Sequence, residues 1–150
     1  METFELRLRK QSASTLKIAY WISQQPQVKK LFYPPYEGDP GYPVWKKQFT
    51  GSGPLFSFSF AEDNEKAIAA FFNNLKMFSI GASWGGTRSL IGFYPASLQK
   101  AREFSLTQDA LVRVAIGVED PQLLINDLKN ALLAWESAPV SYTHLTLPTN

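Results

Sequence analysis

The chain has no cysteine and a single histidine, His144, among its 150 residues. The absence of cysteine excludes disulfide bonds, thiolate metal sites and cysteine nucleophiles, and it fits a reducing compartment, so we expect a cytoplasmic protein. His144 lies close to the C-terminus. No paired acids, metal-ligand cluster or nucleophile–base set stands out in the remaining sequence. The sequence therefore predicts no self-contained catalytic centre.

Long apolar runs and long runs of charge are also missing. No apolar stretch approaches the roughly 20 residues of a membrane span, and the first residues lack the apolar core of a signal peptide. The formal net charge of +2 is too small to indicate nucleic-acid binding by itself. We interpret the basic cluster of Arg7, Arg9 and Lys10 as a solvated helix face or a contact with another domain. We expect neither a membrane nor a nucleic acid as partner.

The last residues differ in composition from the rest. The stretch from about Val140 to Asn150 has no charge and no helical period. We interpret residues 1–137 as one domain and residues 138–150 as a tail that is not native. On this interpretation the chain is cut at both ends and Met1 is an internal start.

Hydrophobic periodicity, caps and turn residues predict helices that alternate with short strands. The predicted helices are 2–25, 43–49, 63–75, 97–103 and one that begins at 121; the predicted strands are 28–33, 55–60, 78–82, 89–93 and 111–116. Asp63 and Asp120 are the expected N-caps. Near one face of the first helix lie Phe4, Leu8, Thr15, Ala19 and Ile22. We expect an α+β fold, a mainly antiparallel sheet of about four strands with hairpin-like links and helices on one face.

Residues 83–86 read Ser-Trp-Gly-Gly and predict a tight turn between two strands. Paired glycines permit a positive φ and a close approach of the backbone to a neighbour. Trp84 adds a flat wall with one N–H donor. Such a segment is most often only a turn beside a packed tryptophan, and a ligand site is the second interpretation.

Arg113 interrupts an otherwise apolar strand. Side chains alternate along a strand, which separates its neighbours into two faces: Val112, Val114 and Ile116 on one, Leu111, Arg113 and Ala115 on the other. A guanidinium on a largely buried strand needs an anionic partner, and its planar fork fits a carboxylate. The nearest acids, Glu119 and Asp120, lie beyond the strand end. Arg113 is therefore either an ordinary edge residue or a group that binds the carboxylate of a ligand.

These two segments resemble the C-terminal domain of the pyridoxal-phosphate enzymes of cysteine and methionine metabolism. The matching blocks follow in family order over about 1–137: residues 6–9, 45–53, 55–58, 78–90 and 113–120. Trp84 is typical of the cystathionine β-lyase branch, because the γ-branch usually has leucine there. Arg88 departs from the glutamate usual in the family, and Ala82 from the tyrosine of some β-lyases.

The resemblance implies a substrate-binding part of an enzyme. The arginine that matches Arg113 binds the substrate α-carboxylate in the family, the serine that matches Ser83 assists, and Trp84 would line the site. It also implies a parent homo-oligomer that uses pyridoxal phosphate, held by a lysine of an N-terminal domain that this chain lacks. The implied reaction is β-elimination of the amino acid L-cystathionine to homocysteine, pyruvate and ammonia, with the cofactor as electron sink. The chain alone would be inert and would contain no catalytic residue.

Three other interpretations stay open at this point. A fragment of another carbon–sulfur lyase or of a cystathionine γ-synthase is the alternative within the same class, and Trp84 argues against the γ-branch. A freestanding α+β module that binds a small ligand or RNA is an interpretation from a different class. A fragment without any function of its own is the third.

Overall fold

The computed structural model describes residues 2–105 and 107–139, so the tail expected over 138–150 lies outside the described residues from 140 onward. The described elements alternate between helix and strand, as the sequence predicts. In chain order they are α1 (Phe4–Ser23), β1 (Val28–Phe32), α2 (Tyr42–Gln48), β2 (Leu55–Phe60), α3 (Glu65–Asn74), β3 (Ser79–Ile80), β4 (Leu90–Tyr94), α4 (Ala96–Lys100), β5 (Leu111–Ala115) and α5 (Pro121–Glu136).

The strands form one sheet in the order β1-β2-β5-β4-β3. β1 with β2, β2 with β5 and β5 with β4 pair antiparallel, whereas β3 runs parallel to β4. The expectation of an α+β fold with a mainly antiparallel sheet is confirmed. The sheet has five strands where about four were expected. The hairpin-like link expected after β3 is wrong, because β3 and β4 pair parallel. Residues 81–89 are long enough to carry the chain back, so that Leu90 pairs with Ser79 in the same direction.

The core lies between one sheet face and the helices. Alternation along β2 and β5 buries one row of side chains, and this row packs against apolar residues of α1, α3 and α5. The sheet's contribution is Phe56, Phe58, Phe60, Ile91, Val112 and Val114; the helices add Ile18, Ile22, Phe71, Leu124, Leu128 and Leu132. Ser57 and Arg113 belong to the opposite row and are half-buried on the other face. This division sets Arg113 apart from the core.

The buried face of α1 begins after its first two turns. Phe4 is 54% exposed and Leu8 is only half-buried. The buried positions start at Gln11 and continue through Thr15, Ile18 and Ile22. Phe4 and Leu8 remain outside the core because the sheet and α5 cover only the part of α1 that follows them. No helix in the described part of the chain is long and apolar enough to cross a membrane.

Two helix starts test the predicted caps. Asp120 caps α5 as predicted, since its side chain accepts hydrogen bonds from the backbone N–H groups of Gln122 and Leu123. In α3 the cap is Asn64 instead of Asp63, and its side chain accepts from the N–H groups of residues 66 and 67. Both residue types suit an N-cap. The choice between neighbours depends on where the helical backbone begins.

Candidate functional site

Strand β5 presents Arg113 on the half-buried side of the sheet. Arg113 pairs with Ser57 of β2 and with Gly92 of β4, so it lies in the middle of a row across three strands. Neither neighbour has a bulky side chain. The guanidinium therefore extends over the sheet towards the loop that follows β3.

The guanidinium is held by two contacts. Its Nη2 donates a hydrogen bond to the carbonyl oxygen of Ala82. Its Cζ lies 5.8 Å from the centre of the Tyr94 ring, within cation–π range. Its Nε, in contrast, is buried and has no hydrogen-bond partner among the described residues. A buried donor left unpaired is costly, and a group with this geometry suits an anion from outside the chain.

The two acids nearest in sequence are engaged elsewhere. Glu119 accepts hydrogen bonds from the backbone N–H of Ser89 at 2.7 Å and from its hydroxyl at 2.8 Å. Asp120 caps α5. The ion pairs within the described ranges are Arg9–Glu5 and Lys29–Asp109. Within the part of the chain that the structure describes, Arg113 thus forms no ion pair with a carboxylate.

The Ser-Trp-Gly-Gly segment lies in the loop between β3 and β4, directly after Ala82. Ser83 and Trp84 are exposed, and Trp84 keeps 62% of its surface accessible, which excludes core packing. Gly85 has φ +80°, a conformation that favours glycine. The contact between Arg113 and Ala82 brings this loop next to the arginine. The structure thus places Ser83 and Trp84 in the loop that the guanidinium touches, with both side chains facing solvent.

Backbone hydrogen bonds and one buried side chain anchor this loop, and sequence reasoning missed the side chain. Gln11 of α1 is 3% exposed, and its Nε2 donates to the carbonyl oxygens of Gly86 at 2.7 Å and of Ile116 at 3.1 Å. The helical period contained a signal that could have identified this residue. Gln11 lies on the same face of α1 as the buried Thr15, Ile18 and Ile22, although it is polar. Such a polar residue on an apolar stripe requires specific partners.

A second anchor joins the loop to the end of β5. The Ser89 hydroxyl accepts a hydrogen bond from the N–H of Gly117 at 2.9 Å and donates to Glu119. The N–H of Val118 donates to the carbonyl of Thr87 at 2.9 Å. Gly117 permits this close approach, because a Cβ there would lie 2.3 Å from the Thr87 oxygen. Arg88, the departure from the resembled family, is exposed and does not take part in these side-chain contacts.

A cofactor that binds through a lysine does not fit the described residues. Such a lysine is activated by burial or by a neighbouring cation, and each of the ten lysines of this chain is exposed. Lys29 pairs with Asp109, and Lys30 lies over the Phe32 ring at 4.9 Å. The described residues also contain no group of three or more His, Asp or Glu side chains that suits a metal ion. What they supply is the Arg113 guanidinium, with a buried Nε that has no hydrogen-bond partner among the described residues.

Two open apolar grooves lie away from Arg113, beside the Pro-rich loop that follows β1. Their volumes are about 620 and 680 Å³, and both are lined by Pro35 and Trp45. Tyr33 forms part of the first groove, and its hydroxyl donates to the carbonyl of Gly53 at 3.1 Å. Burial raises the pKa of Tyr33 above its ordinary value of 10.0, and a hydrogen bond with Ser52 opposes part of that rise.

Comparison with known proteins places this fold and site in a defined class. The family model described as Cys/Met metabolism PLP-dependent enzyme matches residues 1–133. The chain belongs to this family of pyridoxal-phosphate-dependent enzymes, so the cofactor expected from the resemblance is that of the family.

Individual relatives narrow the class to lyases. Cystathionine beta-lyase MetC of Escherichia coli is 38% identical over 135 residues, which are 85% of this chain and 33% of that protein. Cystathionine beta-lyase of Salmonella typhimurium is 40% identical over 133 residues, with the same shares. L-methionine gamma-lyase of Fusobacterium nucleatum is 34% identical over 138 residues, 88% of this chain and 34% of that protein. The chain thus spans about a third of the length of these relatives.

Proposed function

We propose that residues 1–137 are the C-terminal domain of a pyridoxal-phosphate-dependent carbon–sulfur lyase and bind the carboxylate of its amino-acid substrate. The proposed substrate is L-cystathionine, which β-elimination with water converts to homocysteine, pyruvate and ammonia. The parent enzyme would work in the cytoplasm as a homo-oligomer, and a separate N-terminal domain would hold the cofactor. This chain alone would be inert.

The unpaired Nε of Arg113 is the observation that supports this proposal most. Burial makes an unpaired N–H donor costly, and a substrate carboxylate would satisfy it. The Ala82 carbonyl already fixes Nη2, so the planar group is oriented before a ligand arrives. An orientation set in advance lowers the entropy cost of binding.

Ser83 and Trp84 complete the proposed site from the loop. The Ser83 hydroxyl would donate a hydrogen bond to the same carboxylate, and the Trp84 ring would cover it and exclude water. Both side chains are exposed in this chain and so are accessible to a ligand. Together with Arg113 they would hold one end of the substrate and leave its Cα–H bond facing the cofactor domain.

The proposed assignment to the cystathionine β-lyase branch of the family is based on Trp84 and on the relatives. Trp84 stands where the γ-branch usually has leucine, and two relatives above are cystathionine β-lyases. The methionine γ-lyase relative supports a second candidate, γ-elimination. The two differ in the oxo acid released: β-elimination leaves three carbons and γ-elimination of methionine leaves four. This chain can be joined to the cofactor domain of a relative, and mass spectrometry of the oxo acid that the joined enzyme forms then distinguishes β-elimination from γ-elimination.

Carboxylate binding by the chain itself is the direct test. In a ¹⁵N-labelled sample, L-cystathionine should shift the Nε–H signal that disappears in Arg113→Ala. Two charge-assisted hydrogen bonds predict a Kd on the order of millimolar. Arg88→Ala is the matched control, since Arg88 is an exposed arginine of the same loop, and it should bind normally. An unmoved Arg113 signal would contradict the proposal, and a shift confined to the Trp45 indole would favour a freestanding ligand module.

Turnover in the joined enzyme gives a second measurement. Arg113→Ala should lower kcat/KM on the order of 10²-fold or more, if about 3 kcal/mol of transition-state binding is lost. Arg113→Lys should fall between Arg113→Ala and the parent, because lysine keeps the charge but loses the bidentate geometry. Normal turnover in a folded Arg113→Ala enzyme would overturn the role proposed for this residue.

A further inference from the structure

One buried amide connects the two segments that carry the proposed carboxylate site. Gln11 Nε2 uses both of its N–H donors, one on the Gly86 carbonyl at 2.7 Å and one on the Ile116 carbonyl at 3.1 Å. Because both partners are acceptors, they also determine the orientation of the amide. Gly86 lies three residues after Ser83, and Ile116 lies three residues after Arg113. The Gln11 side chain of α1 thus connects the loop after β3, close to Ser83, with the end of β5, close to Arg113.

The other anchors of the loop act further from its tip. Val118 holds Thr87, and Glu119 and Gly117 hold Ser89. On the opposite side, Arg113 itself holds Ala82. Between these points, the exposed tip at residues 83–85 is next to the Gly86 carbonyl that Gln11 binds. Gln11 is therefore the first support after the tip.

We propose that Gln11 is a positioning residue that sets the distance between Arg113 and the loop of Ser83 and Trp84. This inference rests on the proposed function for its effect on binding, but the geometry that it predicts exists without any ligand. Without the amide, the buried Ile116 carbonyl and the part-buried Gly86 carbonyl would lose this donor at once. The loop would relax away from the strand, and binding sites are sensitive to misplacements of about 1 Å.

Two variants remove the bridge in different ways. Gln11→Met keeps a similar volume and has no donor, and Gln11→Asn keeps the amide but is too short to reach both carbonyls. Asn64→Ala is the control for a general loss of stability, since it removes the cap of α3 and makes no contact with the loop. The unliganded chain is followed through the Trp84 indole N–H, the Arg113 Nε–H and the hydrogen exchange of the Val118 amide, which is hydrogen-bonded to the Thr87 carbonyl of the loop.

In both Gln11 variants we expect the Trp84 and Arg113 signals to move and exchange of the Val118 amide to accelerate, on the order of 10-fold or more. Binding of L-cystathionine should weaken on the order of 10-fold, whereas Asn64→Ala should change none of these. Unchanged Trp84 and Arg113 signals in both variants, or equal changes in the control, would overturn the inference. If the parent chain does not bind L-cystathionine, the proposed function falls while the unliganded measurements still decide the role of Gln11.

Discussion

Gly117 shows how a single missing side chain brings the loop and the strand together. A Cβ at this position would lie 2.3 Å from the Thr87 carbonyl oxygen and 2.7 Å from the Arg88 carbonyl carbon, and both atoms belong to the backbone. Its N–H also donates to the buried Ser89 hydroxyl. Any larger residue must displace the loop that carries Ser83 and Trp84.

We therefore expect Gly117→Ala to lower the free energy of unfolding by about 1–3 kcal/mol through overpacking, as measured by urea denaturation. Gly51→Ala is the matched control, because a Cβ at Gly51 meets nothing within 4 Å. Its stability should change by no more than about 1 kcal/mol, and in the favourable direction. Equal effects of the two substitutions would show that the close approach at Gly117 is not required.

Tyr33 makes stability depend on pH at the alkaline end. Burial raises the pKa of its hydroxyl in the folded chain above the ordinary value of 10.0. The unfolded chain then ionises first and binds fewer protons, so the contribution of Tyr33 is complete below pH of about 10 and is lost as pH rises through the folded pKa.

Urea titrations between about pH 8 and pH 11 should reveal this loss. Tyr33→Phe should show a shallower fall in stability over that range, together with a loss of roughly 1 kcal/mol at pH 8 from the missing bond to Gly53. Tyr20→Phe, at a ring that is 60% exposed, is the control for the loss of a tyrosine hydroxyl. An unchanged slope in Tyr33→Phe would assign the alkaline transition to other groups.

At the scale of elements, two adjacent residues are candidates for the N-cap of α3, and the structure shows which one caps the helix. Asn64 accepts hydrogen bonds from the N–H groups of residues 66 and 67 at 3.1 and 3.3 Å, whereas Asp63 is exposed and lies one residue before the cap. Asn64→Ala should cost about 1 kcal/mol of stability. Asp63→Ala should remain within about ±0.5 kcal/mol. Thermal denaturation of both variants measures the two losses of stability. A larger loss of stability in Asp63→Ala than in Asn64→Ala would contradict the observed cap.

The parallel pairing of β3 with β4 is the element-scale feature that builds the proposed site. A two-residue hairpin would have placed Trp84 at a simple turn between antiparallel strands. Instead residues 81–89 return the chain alongside Ser79, and the returning segment passes over the end of β5. This route brings Ala82 to Arg113 and Gly86 to Gln11.

At the scale of the whole molecule, the chain spans about a third of its lyase relatives and exposes all ten of its lysines. We expect no specific attachment of pyridoxal phosphate, because no lysine is activated by burial, and no lyase turnover. Borohydride reduction of the mixture followed by peptide mass spectrometry should show scattered, substoichiometric labelling. Stoichiometric labelling of one lysine would contradict this expectation. It would also contradict the proposal that a separate N-terminal domain holds the cofactor.

Much of the fold followed from the sequence alone, because it depends on local interactions. The strand alternation of β2 and β5, the cap of Asp120 with Pro121 and the α+β class are all effects of neighbouring residues on one another. The isolation of Arg113 among apolar neighbours, with no free acid beside it, was also visible in the sequence. So was the family to which these motifs belong.

Only the tertiary structure decided which distant groups meet. Gln11 lies 75 residues from Gly86 and 105 from Ile116 in the chain, and the sequence analysis identified neither Gln11 nor its partners. Glu119 bonds Ser89 instead of Arg113, and Phe4 remains exposed because the packing of α1 starts at Gln11. Such pairings depend on strand order and direction, which arise when the whole core closes, and short-range patterns carry no information about them.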